Sequence, residues 1–375
     1  MTIYEQPWRL IPNKIRASGG RELDRFRGIN PPQDTPNGAE AWVGSMTRAN
    51  GATKDNPNLG CAEVLLPNGK REYLFSAVLS APEKVLGEKH MAYYGNSLGM
   101  LIKMIDAKKP FLLQCHPTRG NAQKYWNSQF GKEECWFVLG TRQDMEEEPY
   151  ILLGFREGIT RQEFEKAYRQ GDIQRLEGMC HKIKVKPGEC YLIPGGVPHA
   201  LGAGCFVAEI QEPSDLTAVP FSQAYLLDYR RKANPLGVFV AEDESLYETR
   251  MLNTFHYEGS SKEELLSRLK SKERILREET GGKEIEIFGD ADTKSFSCTV
   301  VRVTKEISRV NTGDVQIGIV LSGQGNIRCG QITIPVQQGS ELFFPCSVRD
   351  AVFEGDFSVI LCNPGVTASY RPSQT

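Results

Sequence analysis

The sequence predicts a mostly β chain of two related β units, each a sandwich or barrel carrying helical insertions. Three observations support this. Most of the text is short apolar runs rich in Val, Ile, Leu, Phe and Tyr, broken by Gly, Pro, Asn and Asp: YLFSAVLS, PFLLQCH, CWFVLGT, YILLGF, CYLIPG and CFVAEIQ. Two stretches switch to a helical period. The end of the chain also repeats, weakly, text from its middle.

The first helical stretch is TRQEFEKAYRQGDIQRLEGM, inside an insert over about 158–182. There Thr160 and Glu163 have capping-box spacing, and Phe164, Tyr168 and Ile173 form an apolar stripe interrupted near Gly171. The second is SKEELLSRLKSKERIL, a helix expected over 261–276, capped by Ser261 with Glu264 three residues on. The repeat pairs PGECYLIPGGVPHALGAG with GSELFFPCSVRDAVFEG, so that Pro194 aligns with Pro345 and His199 falls opposite Asp350. Upstream, CWFVLG lies over GIVLSG and Glu134 opposite Gln316. The second copy lacks the histidine and the glutamate, which puts the chemistry in the first. VLSGQGN then reads as a hairpin turn, because a G-x-G with no helix after it is a weak phosphate signal. These limits suggest a catalytic unit over 1–240, with its N-terminal segment, and a degenerate unit over 241–375.

The chain has 375 residues, 25% of them charged, and its formal charge of −2 argues against nucleic acid or an anionic membrane as the main partner, since these usually need a basic face. A small solute is the expected partner. No apolar run approaches a membrane span, and MTIYEQPWRLIPNK lacks the regions of a signal peptide. The ten cysteines form no C-x-x-C pair and sit mostly in apolar strand text, where a reduced thiol behaves as a small hydrophobe. Reduced thiols imply a cytoplasmic location. The oligomeric state has no signature in the sequence.

Residues two apart on a strand share a face, so Gln114 and His116 in LLQCHP project together while Cys115 points away. In GKEECWFVLG, Lys132 and Glu134 share one face, and Glu133 and Cys135 the other. Register leaves Glu133 and Glu134 both open as the acidic donor. His199 closes the pattern G-x5-P-x-G-x2-H with Gly188, Pro194 and Gly196, which resembles the second sequence motif of the cupin barrel, where the histidine usually holds a metal. Gln114, His116, Glu134 and His199 would then offer two imidazoles, an amide oxygen and a carboxylate. That set suits Zn²⁺ or another first-row divalent ion. His90, His181 and His256 lack such company.

Over most of its length the chain resembles the type I mannose-6-phosphate isomerases. The resemblance rests on EAWVGS, LIKMIDAKKPFLLQCHP, GKEECWFVL, GITRQEFEKAYRQG, YLIPGGVPHALGAGCFVAEIQEPSD and the cupin-like end of the chain. It implies two cupin-type (jelly-roll) units and one zinc ion per chain on Gln114, His116, Glu134 and His199, with Glu134 preferred over Glu133. It also implies active-site lysines at Lys103 and Lys132. The implied activity is interconversion of mannose 6-phosphate and fructose 6-phosphate through a cis-enediol. Lys132 would steady negative charge or relay a proton, and Lys103 with Arg230 or Arg231 would meet the phosphate.

Two positions depart from the family pattern. Val219 stands where an active-site arginine is usual, and Leu112 where a serine is common two residues before the glutamine. These departures motivate two other readings: an isomerase of another sugar or sugar phosphate, and a non-catalytic sugar-binding cupin.

Overall fold

The computed structural model describes residues 2–233, 243–311 and 313–365, without the side chains of 229–233. In chain order the first strands are β1 (Trp8–Ile11), β2 (Glu40–Val43), β3 (Glu63–Leu65), β4 (Arg71–Tyr73), β5 (Leu101–Asp106) and β6 (Glu134–Thr141). Next come β7 (Tyr150–Phe155), β8 (Cys180–Lys184), β9 (Cys190–Ile193), β10 (His199–Leu201) and β11 (Cys205–Gln211). The remainder are β12 (Arg274–Glu279), β13 (Gly282–Phe288), β14 (Phe296–Val303), β15 (Glu306–Val310), β16 (Gln316–Cys329), β17 (Ile332–Gln337), β18 (Glu341–Phe344) and β19 (Asp350–Pro364). The architecture is mostly β with helical insertions.

The repeat hinted at by the sequence is written in the strand order. A five-stranded sheet runs β2-β5-β11-β6-β9, and the middle of the eleven-stranded sheet runs β13-β14-β19-β16-β18. The three-stranded sheet β10-β7-β8 has its counterpart in the far ends of β19 and β16 with β17. Residue pairing agrees: Glu134 lies between Gln211 and Ile193, and Gln316 is paired with Phe344 and bonded through its side chain to Asn363.

Alternation along the five-stranded sheet sorts its residues onto two faces. One face presents Glu40, Trp42, Lys103, Glu209, Gln211 and Glu134, with Trp42 bonded to Glu40 and Lys103 to Glu209, and then becomes apolar toward Val138, Val207 and Tyr191. The other face, with Val43, Ile102, Cys135, Leu192 and Ala208, packs against Phe296, Cys298, Ile317, Phe343 and Cys362 of the second unit in one continuous core.

The N-terminal strand fastens the two units together. β1 is hydrogen-bonded to β18, and Trp8 is paired with Phe343, their rings 5.3 Å apart and stacked. The Trp8 indole N–H donates to the Ile3 carbonyl at 2.7 Å, so its one polar atom is satisfied inside the core. Trp8→Ala is expected to lower the unfolding free energy by about 3–5 kcal/mol through a cavity at this junction. Urea unfolding checks this, and a loss under about 1 kcal/mol would show that the core collapses around the gap.

The helical insert forms as Arg161–Gln170 and Ile173–Gly178, with the expected Thr160–Glu163 capping box. Three local expectations are corrected. YLFSAVLS is not a strand: after Tyr73 it coils into the helix Leu74–Ser80, burying Leu74, Ala77 and Val78 at helical spacing. The helix expected over 261–276 spans only Lys262–Leu269, because Lys270 turns extended and the following residues pair as β12. VLSGQGN is not a hairpin turn but the middle of β16, with a register shift between Val320 and Ser322. At Gly323, φ is 74° and an added Cβ would meet the Asp356 carbonyl oxygen at 2.1 Å, so the glycine serves a bulge against β19.

The helices Glu244–Thr254 and Lys262–Leu269 follow the first unit in sequence and also pack on it. Met251, Leu252 and Phe255 join Phe164 and Tyr168, while Leu265 and Leu269 lie against Leu153 and Tyr191. Among the described residues no helix is long and apolar enough to cross a membrane.

Candidate metal centre

Two segments that are not regular strands bring the donors together. Gln114 and His199 exchange backbone bonds of 3.0 and 2.9 Å, and Cys115 does the same with Ala218 at 2.8 Å. The Gly188 and Gly196 positions of the motif have φ of 89° and 95°, left-handed values that explain why both are glycine. The second turn delivers His199 to the start of β10.

His116, Glu134 and His199 are all buried, and one donor atom from each lies within 4.8 Å of the other two. Glu134 Oε2 is 3.3 Å from His116 Nε2, and its Oε1 is 3.5 Å from His199 Nε2. Each imidazole is fixed from behind: His116 Nδ1 is 2.8 Å from the Leu216 carbonyl oxygen, and His199 Nδ1 2.8 Å from that of Val197. A carbonyl only accepts, so the proton sits on Nδ1 and the bare Nε2 lone pairs face each other across the site. Burial and the nearby Lys132 hold His116 below its ordinary value. Burial and His116 push His199 down to about 3, so both rings are neutral and able to ligate. For Glu134 the effect of burial is outweighed by Lys132 and His116, and its carboxylate stays ionised well below the usual range.

The donor set fits a divalent cation on two further grounds. Glu134 Oε1 is sealed from solvent without a hydrogen-bond partner. A positive group already stands among the donors: the Lys132 ammonium lies 2.6 Å from His116 Nε2 and bonds Glu134 Oε2, a stand-in for a bound cation. Gln114 faces the same space, its amide nitrogen 3.4 Å from His199 Nε2.

Glu133, the alternative donor, turns the other way. Its Oε2 accepts from Thr293 Oγ1 at 2.8 Å and Ser295 Oγ at 2.6 Å, and burial raises its pKa. Cys135 also points away, into the core between the units, and Cys115 lies behind the site with Sγ near the Thr254 carbonyl. His90 and His181 each bond a backbone carbonyl.

Lys103 lies beneath the centre, 3% exposed, with Nζ 2.9 Å from Glu209 and 3.5 Å from Asp215, and 5.0 Å from the Trp42 ring centre. Burial would discharge it, but Glu209, Asp215 and Glu40 prevail and its pKa rises to about 12. Lys132 reaches the same Glu209 at 3.6 Å. The network ends on Arg16, which grips Asp215 with both terminal nitrogens at 2.9 and 3.1 Å and bonds Glu40 through Nε at 3.0 Å.

Glu209, Asp215, Glu40 and Arg16 were not singled out from the sequence. Glu209 and Gln211 alternate along β11 as Lys132 and Glu134 do ahead of and into β6, a signal that was available. Arg16 sits in a loop with no period to mark it. Arg230 belongs to the helix Gln223–Ala233, and its side chain, like that of Arg231, lies outside the described residues. Val219 is buried in an apolar cluster with Phe221 and Leu226, and its carbonyl accepts from the Tyr247 hydroxyl at 2.6 Å; Leu112 packs against the same cluster.

Fold and site together define a mostly β protein with a buried His-His-Glu centre for a divalent ion. No family model matches the chain. It is 27% identical over 270 residues to GmuF of Bacillus subtilis (strain 168), described as a probable mannose-6-phosphate isomerase, covering 72% of this chain and 76% of that one. It is 32% identical over 151 residues to mannose-6-phosphate isomerase ManA of the same strain, 39% of this chain and 44% of that one. The crystal structure of the mannose 6-phosphate isomerase from Bacillus subtilis superposes with a TM-score of 0.66 at 21% identity, covering 95% of this chain and 99% of that one. Over about three quarters of its length the chain is similar to mannose-6-phosphate isomerases, and it shares their fold.

Proposed function

We infer that the protein is a metal-dependent aldose–ketose isomerase that interconverts mannose 6-phosphate and fructose 6-phosphate through a cis-enediol. The observation that carries this is the buried His116–Glu134–His199 centre with Lys132 among its donors, in a chain similar to mannose-6-phosphate isomerases. Each β unit is read as a cupin jelly roll, the first catalytic and the second degenerate. The helices of 244–254 and 262–269 go with the first, where their apolar residues are buried.

The resident ion is read as Zn²⁺, held by His116, Glu134 and His199. Gln114 is a fourth ligand once its amide oxygen rather than its nitrogen faces the site. Such an ion acts as a Lewis acid toward sugar oxygens. Lys132 is placed to steady negative charge on a substrate oxygen and to pass a proton there, with Glu209 behind it as counter-charge. Lys103 fixes Glu209 and Asp215 with its ammonium and sets the charge beneath the centre.

Within this network Arg16 is read as the partner of the phosphate, because about a third of its side chain (32%) is exposed whereas Lys103 and Lys132 are buried. Arg16→Ala is expected to raise KM for the phosphorylated sugar roughly tenfold or more with a smaller change in kcat, as for a lost charge-assisted hydrogen bond. An unchanged KM assigns Arg16 to the structure alone.

Incubation of the zinc-loaded protein with fructose 6-phosphate in deuterated water tests the activity. Mannose 6-phosphate carrying deuterium at C2 is expected, and absence of both product and label overturns the reading. The apolar surroundings of Val219 and Leu112 favour one second reading, the same chemistry on another sugar or sugar phosphate. Faster turnover of unphosphorylated hexoses in a substrate panel would select it.

A further inference from the structure

We propose that the C-terminal unit binds a small tetrahedral oxyanion of the phosphate type, in a pocket at the structural counterpart of the metal centre. The strand correspondence locates it. Gln316 stands in the place of Glu134, Asn363 in that of Gln211, Ser297 in that of Leu101 and Thr299 in that of Lys103. A cavity of about 290 Å³ opens at this point, lined among others by Lys89, Ser297, Thr299, Arg309, Gln316 and Asn363.

The chemistry of the lining has changed from metal donors to hydrogen-bond donors. Arg309 Nη1 donates to Gln316 Oε1 at 3.2 Å, and Gln316 Nε2 donates to Asn363 Oδ1 at 3.1 Å, so both amide oxygens are used inside the protein. Arg309 Nη2, Asn363 Nδ2, the Ser297 and Thr299 hydroxyls and the Lys89 ammonium have no protein acceptor among the described residues. Five donors around a cavity of this size are what a group of four oxygens takes. Asp290 and Asp314 also line the cavity, and they set a limit on how much negative charge it accepts.

The charge on Arg309 points the same way. Its one carboxylate partner among the described residues, Glu284 at 3.3 Å, is shared with Arg277 at 3.7 Å. Burial therefore prevails and holds the Arg309 guanidinium below its ordinary value, whereas the carboxylates around Arg16 outweigh its burial and raise it. A second anion beside Arg309 would restore the balance. The pocket lies across the inter-unit core from the metal centre, so a ligand here would act apart from the reaction.

Equilibrium dialysis of the full chain against radiolabelled inorganic phosphate tests the proposal. The wild type is expected to bind one phosphate per chain more than Arg309→Met does. Thr299→Val, which leaves the Arg309–Glu284 pair alone, is expected to bind phosphate at this pocket roughly threefold to tenfold more weakly, the loss of one hydrogen bond. It also keeps the test usable if Arg309→Met does not fold. Phosphate binding equal in stoichiometry and affinity for the wild type and every folded variant overturns the proposal.

Discussion

Glu134→Gln is expected to strip the metal from the protein and with it nearly all turnover. Glu134 is the only anion among the clustered donors, since both imidazoles are held neutral by burial and by carbonyl acceptors on Nδ1. Glutamine keeps the length of the side chain and removes the charge. Losing a group that merely orients a ligand costs about 10–100-fold in metal affinity, so losing the charged ligand itself should cost more than about a hundredfold. The same change leaves the Lys132 ammonium without its nearest carboxylate in a buried site, so the metal-free variant should also melt below the metal-free wild type. Metal content by mass spectrometry and the isomerase rate are the measurements. Full metal content together with a wild-type rate would remove Glu134 from the centre. Chelation of the wild type should give the same loss of rate, reversed by added zinc, and a lower Tm because the ion binds only the folded state.

The second large effect lies away from the chemistry. Arg142, 1% exposed at the end of β6, closes a buried cluster: Nε and Nη2 bond Asp106 at 2.7 and 2.6 Å, and Nη1 and Nη2 bond Asp34 at 3.2 and 2.5 Å. Asp106 in turn accepts from the backbone N–H groups of Gly20 and Glu22 at 3.0 and 2.9 Å, so a β5 residue caps the helix Arg21–Phe26. Arg142→Ala strands a fully buried carboxylate and is expected to cost about 3–5 kcal/mol, read from the urea midpoint. An acid effect follows. Burial would raise the Asp34 carboxyl, but bonds from Arg142 and Lys108 prevail and hold it well below the usual range. Its folded pKa is depressed, so its contribution is present above the ordinary carboxylate pKa and is lost as pH falls toward the folded value. Without Arg142 that contribution shrinks at neutral pH, and the variant's stability should vary less with pH across the acid range. Equal midpoints for variant and wild type would show the cluster to be energetically neutral.

The metal centre was legible because strand alternation is a strict code. Gln114 and His116, and Lys132 with Glu134, are spaced two apart and so share faces, and the glycines at 188 and 196 mark the turns that deliver His199. The repeat was legible too, down to Glu134 opposite Gln316. What escaped was tertiary. Nothing within YLFSAVLS says that Leu74, Ala77 and Val78 will be buried together, and that decides helix over strand there. Gly323 and Gly325 carry the composition of a turn, and only the closeness of β19 shows them as the low points of a bulged strand. Arg16 lies about two hundred residues from Asp215 in sequence, so an ion pair that no local pattern encodes joins two distant loops.

The side chain of Glu133 has a bearing on how the centre is assembled. A strand that slips by one residue exchanges its faces, and on β6 that error would offer Glu133 to the centre in place of Glu134, the same chemistry at a wrong position. Thr293 and Ser295 of the C-terminal unit take hold of Glu133 from the opposite face, and so recognise the correct register and no other. These C-terminal residues thus hold this part of the chain in the alignment that turns Glu134 to the centre.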